Sequence, residues 1–160
     1  MSNSNEHILI KPIGIAADHG GYELKNYLVK ILRDQQYEVI DFGDAQMDPE
    51  DDYPDYVVPL AKAVAEGKVS RGIAICASGV GACIAANKIA GVKACLIHDK
   101  FSAQQGVEDD NMNLICLGGK VVDELLAGEL TTIFLKAKFS GAERHIRRLA
   151  KIEALEMKLK

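Results

Sequence analysis

Apolar positions along this chain alternate between two periods. Pro12 to Ala17, Gly72 to Cys76, Val92 to Ile97 and Leu114 to Leu117 are short, nearly continuous runs of apolar or small residues, as expected of strands buried on both faces. Tyr37 to Phe42 is β-rich and closes at Gly43. Between these runs the spacing changes to three and four. In Tyr22 to Arg33, Leu24, Tyr27, Leu28, Ile31 and Leu32 fall on one helical face. After a long acidic loop, Asp44 to Tyr53, Pro54 suits a helix start that Val57 to Ala65 continues as far as Gly67. Ser78-Gly79-Val80-Gly81 turns from the third strand into a small-residue helix, Ala82 to Ile89. A further helix follows the fourth strand, and two more close the chain. Five strands separated by helices predict an α/β, three-layer Rossmann-like fold, a five-stranded parallel sheet with helices on both faces. Residues 1–10 read as a disordered tail and 11–160 as a single domain, with no internal repeat or linker.

Composition narrows the function. The 160 residues are 48% hydrophobic and 26% charged, which fits one soluble packed domain. No apolar run approaches the roughly 18 residues that cross a bilayer, and the polar N-terminus lacks the apolar core of a signal peptide. Cys76, Cys83, Cys95 and Cys116 form no Cys-x-x-Cys pair, so neither a zinc site nor a disulfide framework is expected, and free thiols point to the cytoplasm. The net charge of −4 is uneven: from Lys136 onward eight Lys or Arg face three Asp or Glu, a net +5 that leaves −9 on the first 135 residues. A basic C-terminal segment either binds an anion or acidic partner surface or is a solvated helix face. Nucleic acid fits poorly, because the whole chain is acidic and only Phe139 interrupts the basic run as an aromatic.

Parallel sheets bind ligands beyond the carboxyl ends of their strands. That places chemistry at Asp18-His19, Cys76-Ala77-Ser78-Gly79 and His98-Asp99. Glycines at 79 and 81 let backbone N–H groups close on an anion. No Gly-Lys-Ser/Thr follows, so this is not a Walker loop, and Ile84 stands where a dinucleotide fingerprint wants Gly or Ala. A tight turn without a ligand is the competing reading. Cys76 ends the buried strand just before the loop. A thiol beside a helix N-terminus is acidified and serves as base or nucleophile, whereas most strand cysteines only pack; Cys83 reads as packing. Asp18 with His19 offers either proton handling or a helix N-cap beside an exposed imidazole. Arg144 and Arg148 share one helix face, as a phosphate clamp or as solvated charges.

Together these segments resemble the ribose-5-phosphate isomerase B and galactose-6-phosphate isomerase family. The matching stretches are Ala16 to Lys25 (AADHGGYELK), Asp52 to Tyr56 (DYPDY), Gly72 to Lys88 (GIAICASGVGACIAANK), Ser102-Ala103, Asn113 to Gly118, and Arg144-His145 with Arg148. They run in order from about residue 12 to 152. The resemblance implies aldose–ketose isomerisation of a small phosphorylated sugar, ribose 5-phosphate by default, through a cis-enediolate and without metal or organic cofactor. It makes Cys76 the base and excludes the variant with glutamate at the position of Ala82. The amides of Ala77, Ser78, Gly79, Val80 and Gly81 would hold the enediolate oxygen, with Ser78 in place of the commoner threonine. Asp18 and Tyr53 would contact the sugar, and His19, Lys120, Arg144 and Arg148 the phosphate. Lys120 stands where many relatives carry arginine, which keeps charge and loses the bidentate fork. The resemblance also implies a homodimer or tetramer with shared sites, the C-terminal helix reaching a partner subunit.

One departure stands out. The family's ring-opening histidine is replaced by Asp109, and the next Asn by Asp110, in Asp109-Asp110-Asn111-Met112-Asn113. An aspartate with an ordinary pKa near 4 is ionised at pH 7 and donates protons poorly. Ring opening then falls to another group, with His98 a candidate, or the substrate needs none, as for an open-chain tetrose phosphate. Allose 6-phosphate, galactose 6-phosphate and a non-catalytic sugar-phosphate-binding subunit complete the alternatives.

Overall fold

A computed structural model describes residues 10–158; the predicted N-terminal tail lies outside the described residues except for Ile10. The elements run β1 (Ile13–Ala17), a 3-10 turn (His19–Gly21), α1 (Tyr22–Asp34), β2 (Val39–Asp41), α2 (Pro54–Ala65), β3 (Arg71–Cys76), α3 (Val80–Ala86), β4 (Ala94–Leu96), α4 (Lys100–Asp110), β5 (Leu114–Gly118), α5 (Glu124–Lys136) and α6 (Glu143–Met157). All five strands pair in parallel, in the order β2-β1-β3-β5-β4. The predicted three-layer architecture is the one observed. Among the described residues no helix is long and apolar enough to cross a membrane.

Strand alternation decides what each face of the sheet accepts. Ile13, Ile15, Ile73, Ile75, Ile115 and Leu117 point to one side and pack against α1, α4 and α5. Small residues point to the other, with Ala16, Ala74, Cys76 and Cys116 beneath α2 and α3. Side chains this short let α3 sit close over β3 and β5. Cys76 thus belongs to the small-residue face, on the side where α3 begins.

Three elements differ from the sequence pattern. β2 and β4 are only three residues long, because both are edge strands whose outer side finds no partner strand. α3 starts at Val80 and ends at Ala86 instead of spanning 82–89. Its early end has a visible cause: Asn87 turns its amide to Ala94, accepting from the Ala94 N–H and donating to the Ala94 carbonyl, each at 2.9 Å. That bidentate bridge secures the edge strand instead of extending the helix.

The chain leaves β1 toward β2 by way of α1, on one face of the sheet. It leaves β3 in the opposite direction, by way of α3 on the other face. A crevice therefore opens between the carboxyl ends of β1 and β3, the position where parallel sheets of this type hold ligands.

Candidate active site

Cys76 ends β3 on one side of that crevice, and its side chain is buried. The backbone then reverses sharply. Gly79 sits at φ +80°, where a Cβ would fall 2.9 Å from the Leu117 carbonyl and 2.6 Å from the Leu96 side chain. Only glycine takes this place without strain. The reversal aims the Gly79 N–H at the Cys76 sulfur, 3.1 Å away. Ser78 Oγ accepts from the Val80 N–H at 3.3 Å. Ser78 and Val80 are exposed, so the loop faces outward.

Neighbouring loops hold this one from two sides. The Gly119 and Lys120 N–H groups donate to the Cys76 and Ala77 carbonyls at 2.8 and 3.0 Å. A Cβ on Gly119 would lie 2.5 Å from the Gly20 carbonyl oxygen, and one on Gly20 would lie 2.8 Å from the Ala77 nitrogen. The loops after β1, β3 and β5 thus touch backbone to backbone. Tyr53, at the start of α2, completes the group: its ring packs so closely on Gly81 that a Cβ there would come within 2.6 Å.

Across the crevice, Asp18 is buried and accepts from the Gly20 N–H at 2.9 Å. Its carboxyl is raised above the ordinary range, chiefly by burial. The N-cap reading of Asp18 is the one observed: it caps the 3-10 turn, at the carboxyl end of β1 beside the crevice. His19 is bound twice by Asp51, which accepts from its backbone N–H at 3.0 Å and meets its Nδ1 at 2.6 Å. That carboxylate is the main cause of the raised His19 pKa. With Nδ1 occupied, Nε2 is the nitrogen left for a ligand. Lys120 is close enough to His19 to oppose its protonation. Asp51 was not singled out by the sequence: it lies 32 residues from His19, one carboxylate among several in an acidic loop. Ligand atoms of Asp18, His19 and Asp51 lie within 4.8 Å of one another, the spacing of a metal site. Hydrogen bonds already engage Asp18 Oδ1, His19 Nδ1 and Asp51 Oδ1.

The remaining predicted residues lie elsewhere. α4 leaves the carboxyl end of β4 and runs back to the amino end of β5, so Asp109 and Asp110 in its last turn sit at the opposite edge of the sheet. Eleven residues of helix span about 16 Å. α6 packs against α4 there. His145, on α6, is buried; its Nε2 lies 3.3 Å from Asp109 Oδ1 and accepts from Arg144 Nε at 3.1 Å. Arg144 and Arg148 are exposed. One chain therefore does not bring Asp109, Asp110, Arg144 and Arg148 to Cys76. Asp99, expected among the chemistry, instead caps α4 by accepting from the Ser102 N–H at 2.7 Å. Cavity size would point away from this chemistry: grooves of about 440 and 460 Å³ follow the α1–α5 and α4–α5 faces, and neither is lined by Cys76 or its loop.

The sequence pattern of the Ribose/Galactose Isomerase family matches residues 13–152, which includes both edges just described. The chain belongs to this family. Ribose-5-phosphate isomerase B of Escherichia coli is 38% identical over 149 residues, 93% of this chain and 99% of that protein. The D-erythrulose-4-phosphate isomerase of Pectobacterium atrosepticum is 37% identical over 129 residues, 81% of this chain and 85% of the relative. Among solved structures, Mycoplasma genitalium ribose-5-phosphate isomerase B with bound ribulose-5-phosphate superimposes with a TM-score of 0.87 at 39% identity, over 91% of this chain and 96% of that one. The Ribose/Galactose Isomerase family is therefore represented by proteins covering nearly the same length as this chain, with a sheet and helices arranged alike.

Proposed function

We propose that this protein interconverts the aldose and ketose forms of a small sugar phosphate, with Cys76 as the base that moves the proton. The single observation that carries the reading is the Gly79 N–H aimed at the Cys76 sulfur at 3.1 Å, beside the crevice between β1 and β3. The Cys76 thiolate takes the C2 proton of the open-chain aldose. The electron pair left behind forms the C1–C2 double bond as the C1 carbonyl oxygen gains negative charge. Amides of Ala77 to Gly81 hold that oxygen, and the Ser78 hydroxyl relays the O2 proton to O1. Returning the first proton to C1 gives the ketose. Every step is a proton transfer, so the chemistry calls on no metal or organic cofactor.

Asp18 and Tyr53 hold sugar hydroxyls. His19 and Lys120 hold the phosphate, and a second copy of the chain brings Arg144, Arg148, Asp109 and Asp110, in a homodimer or tetramer with shared sites. Support for the second copy comes from those residues lying at the far edge of their own sheet, and from Val80, Ile84, Leu96 and Phe101, large apolar side chains left exposed at or near the carboxyl edge. Four free thiols suit a reducing cytoplasm. Ribose 5-phosphate is the reference substrate. Cys76→Ala should cut its turnover, or that of the preferred sugar, by about 10³-fold, within the range for removal of a general base. Unchanged turnover would assign the proton transfer to another group.

A further inference from the structure

Cys83 and Cys116 have no part in the proton transfer, yet the fold brings them together. Cys116, in the middle of β5, is fully buried on the small-residue face of the sheet, and Cys83, half-buried on α3, packs onto that face. The Cys83 sulfur sits beside β4, 3.5 Å from the Ala94 carbonyl oxygen and 3.6 Å from Asn87 Nδ2. The backbone of Leu96, which pairs in register with Cys116, also reaches it. A hydrogen bond between the two thiols is the main cause that draws the Cys83 pKa down to about 7 and raises that of Cys116. The pair is therefore unequal. Cys83 ionises near neutral pH at a half-buried position, and Cys116 is a buried thiol held against it, the arrangement of an attacking and a resolving cysteine.

A direct link joins this pair to the Cys76 loop. The Cys83 N–H donates to the Gly79 carbonyl at 3.0 Å, and the Gly79 N–H is the one aimed at Cys76. We propose that Cys83 and Cys116 are an oxidation site for hydrogen peroxide, and that the disulfide they form lowers turnover by displacing the Gly79 loop. The Cys83 thiolate attacks one peroxide oxygen, the O–O bond breaks, and the departing hydroxide takes a proton from solvent to become water. The Cys116 sulfur then attacks the resulting Cys83 sulfenic acid. The S–S bond forms, the S–O bond breaks, and hydroxide leaves with the Cys116 proton as a second water. Two cysteines lose two electrons, and the peroxide gains them. Closing the bond draws Cys83 toward β5, and its N–H pulls on Gly79. The oxidation site stands apart from the Cys76 reading; its effect on turnover rests on that reading.

The test treats the whole protein with hydrogen peroxide, maps its cysteines by mass spectrometry, and follows turnover of ribose 5-phosphate. The wild type should lose the mass of two hydrogens and yield a Cys83–Cys116 linked peptide. Turnover should fall about tenfold, as expected when a catalytic group is misplaced, and a thiol reductant should restore it. Cys83→Ala and Cys116→Ala should start near wild-type turnover and keep it under the same dose. No Cys83–Cys116 peptide would overturn the site. A linked peptide with unchanged turnover would overturn the coupling to the loop. Loss of turnover as fast in Cys83→Ala as in wild type would move the sensitive thiol to Cys76 and overturn the proposal. Cys76→Ala should form the same linked peptide, so a failure of the Cys76 reading, seen as turnover indifferent to that substitution before oxidation, leaves the mapped site standing.

Discussion

The two edges of the sheet solve different problems. At the carboxyl edge position is set by backbone: three loops touch through Gly20, Gly79 and Gly119, and the Cys76 sulfur receives its donor from an amide. At the amino edge position is set by long charged side chains, with Arg144, His145, Asp109 and Gln105 braced against one another. The first arrangement is complete in one chain; the second presents exposed guanidinium groups with no substrate-sized chemistry beside them. On the proposed reading, the comparison teaches that the rigid half of a site can be folded locally while the half with the guanidinium groups is offered to a second copy of the chain.

Mixing variants breaks this comparison most sharply. Cys76→Ala and Arg148→Ala each disable a site, the second by raising KM about tenfold, the loss of one charge-assisted phosphate contact. If the two edges meet across a subunit boundary, re-associated mixtures should recover about a quarter of wild-type activity. Half the random dimers are then mixed, and each of those has one intact site. Mixtures no better than the parents would place all the residues of a working site in one chain.

Gly79→Ala attacks the carboxyl edge alone. The new Cβ meets Leu117 and Leu96 at φ +80°, so a stability loss of about 2 kcal/mol is expected from strain and overlap, read as a fall in the unfolding midpoint with turnover falling beside it. An unshifted midpoint would mean the loop is softer than its contacts suggest.

A smaller effect concerns pH. His19 is held above the ordinary histidine value of 6.5, first by the Asp51 hydrogen bond. Its protonated form favours phosphate binding, so KM should be low below about 6.5 and climb as pH rises through the raised value. The stability that the His19–Asp51 pair adds has the same sign: full below the unfolded pKa and lost as pH rises through the folded one. Asp51→Asn should move the KM limb to lower pH while kcat holds. A limb that stays put would assign it to another group.

Much of the carboxyl edge was legible in the sequence because parallel-sheet physics fixes where strands end: Asp18 follows β1, Cys76 ends β3, and Gly79 lies in the turn just beyond it. Asp51 was hidden because loops carry no period; its partner is chosen by the path of the acidic segment, which Lys25 ties down through Asp41 Oδ2 at 2.7 Å and the Asp44 carbonyl at 3.0 Å. The displacement of Asp109 from Cys76 was hidden for another reason. A helix pattern gives α4 its length, but only the strand order shows which edge its last turn reaches. α3 was misplaced at both ends because Val80 looked like part of the turn and Asn87 looked helical, while its amide serves Ala94.

The donor that faces the Cys76 sulfur belongs to no side chain. Conventional scanning mutagenesis would pass over it: Ala77 is already alanine, and replacing Gly79 changes shape before it changes chemistry. An ester in place of the amide bond between Ser78 and Gly79 would remove that one N–H while keeping the side chains and the glycine. The importance of this site is thus better measured by semisynthesis than by codons.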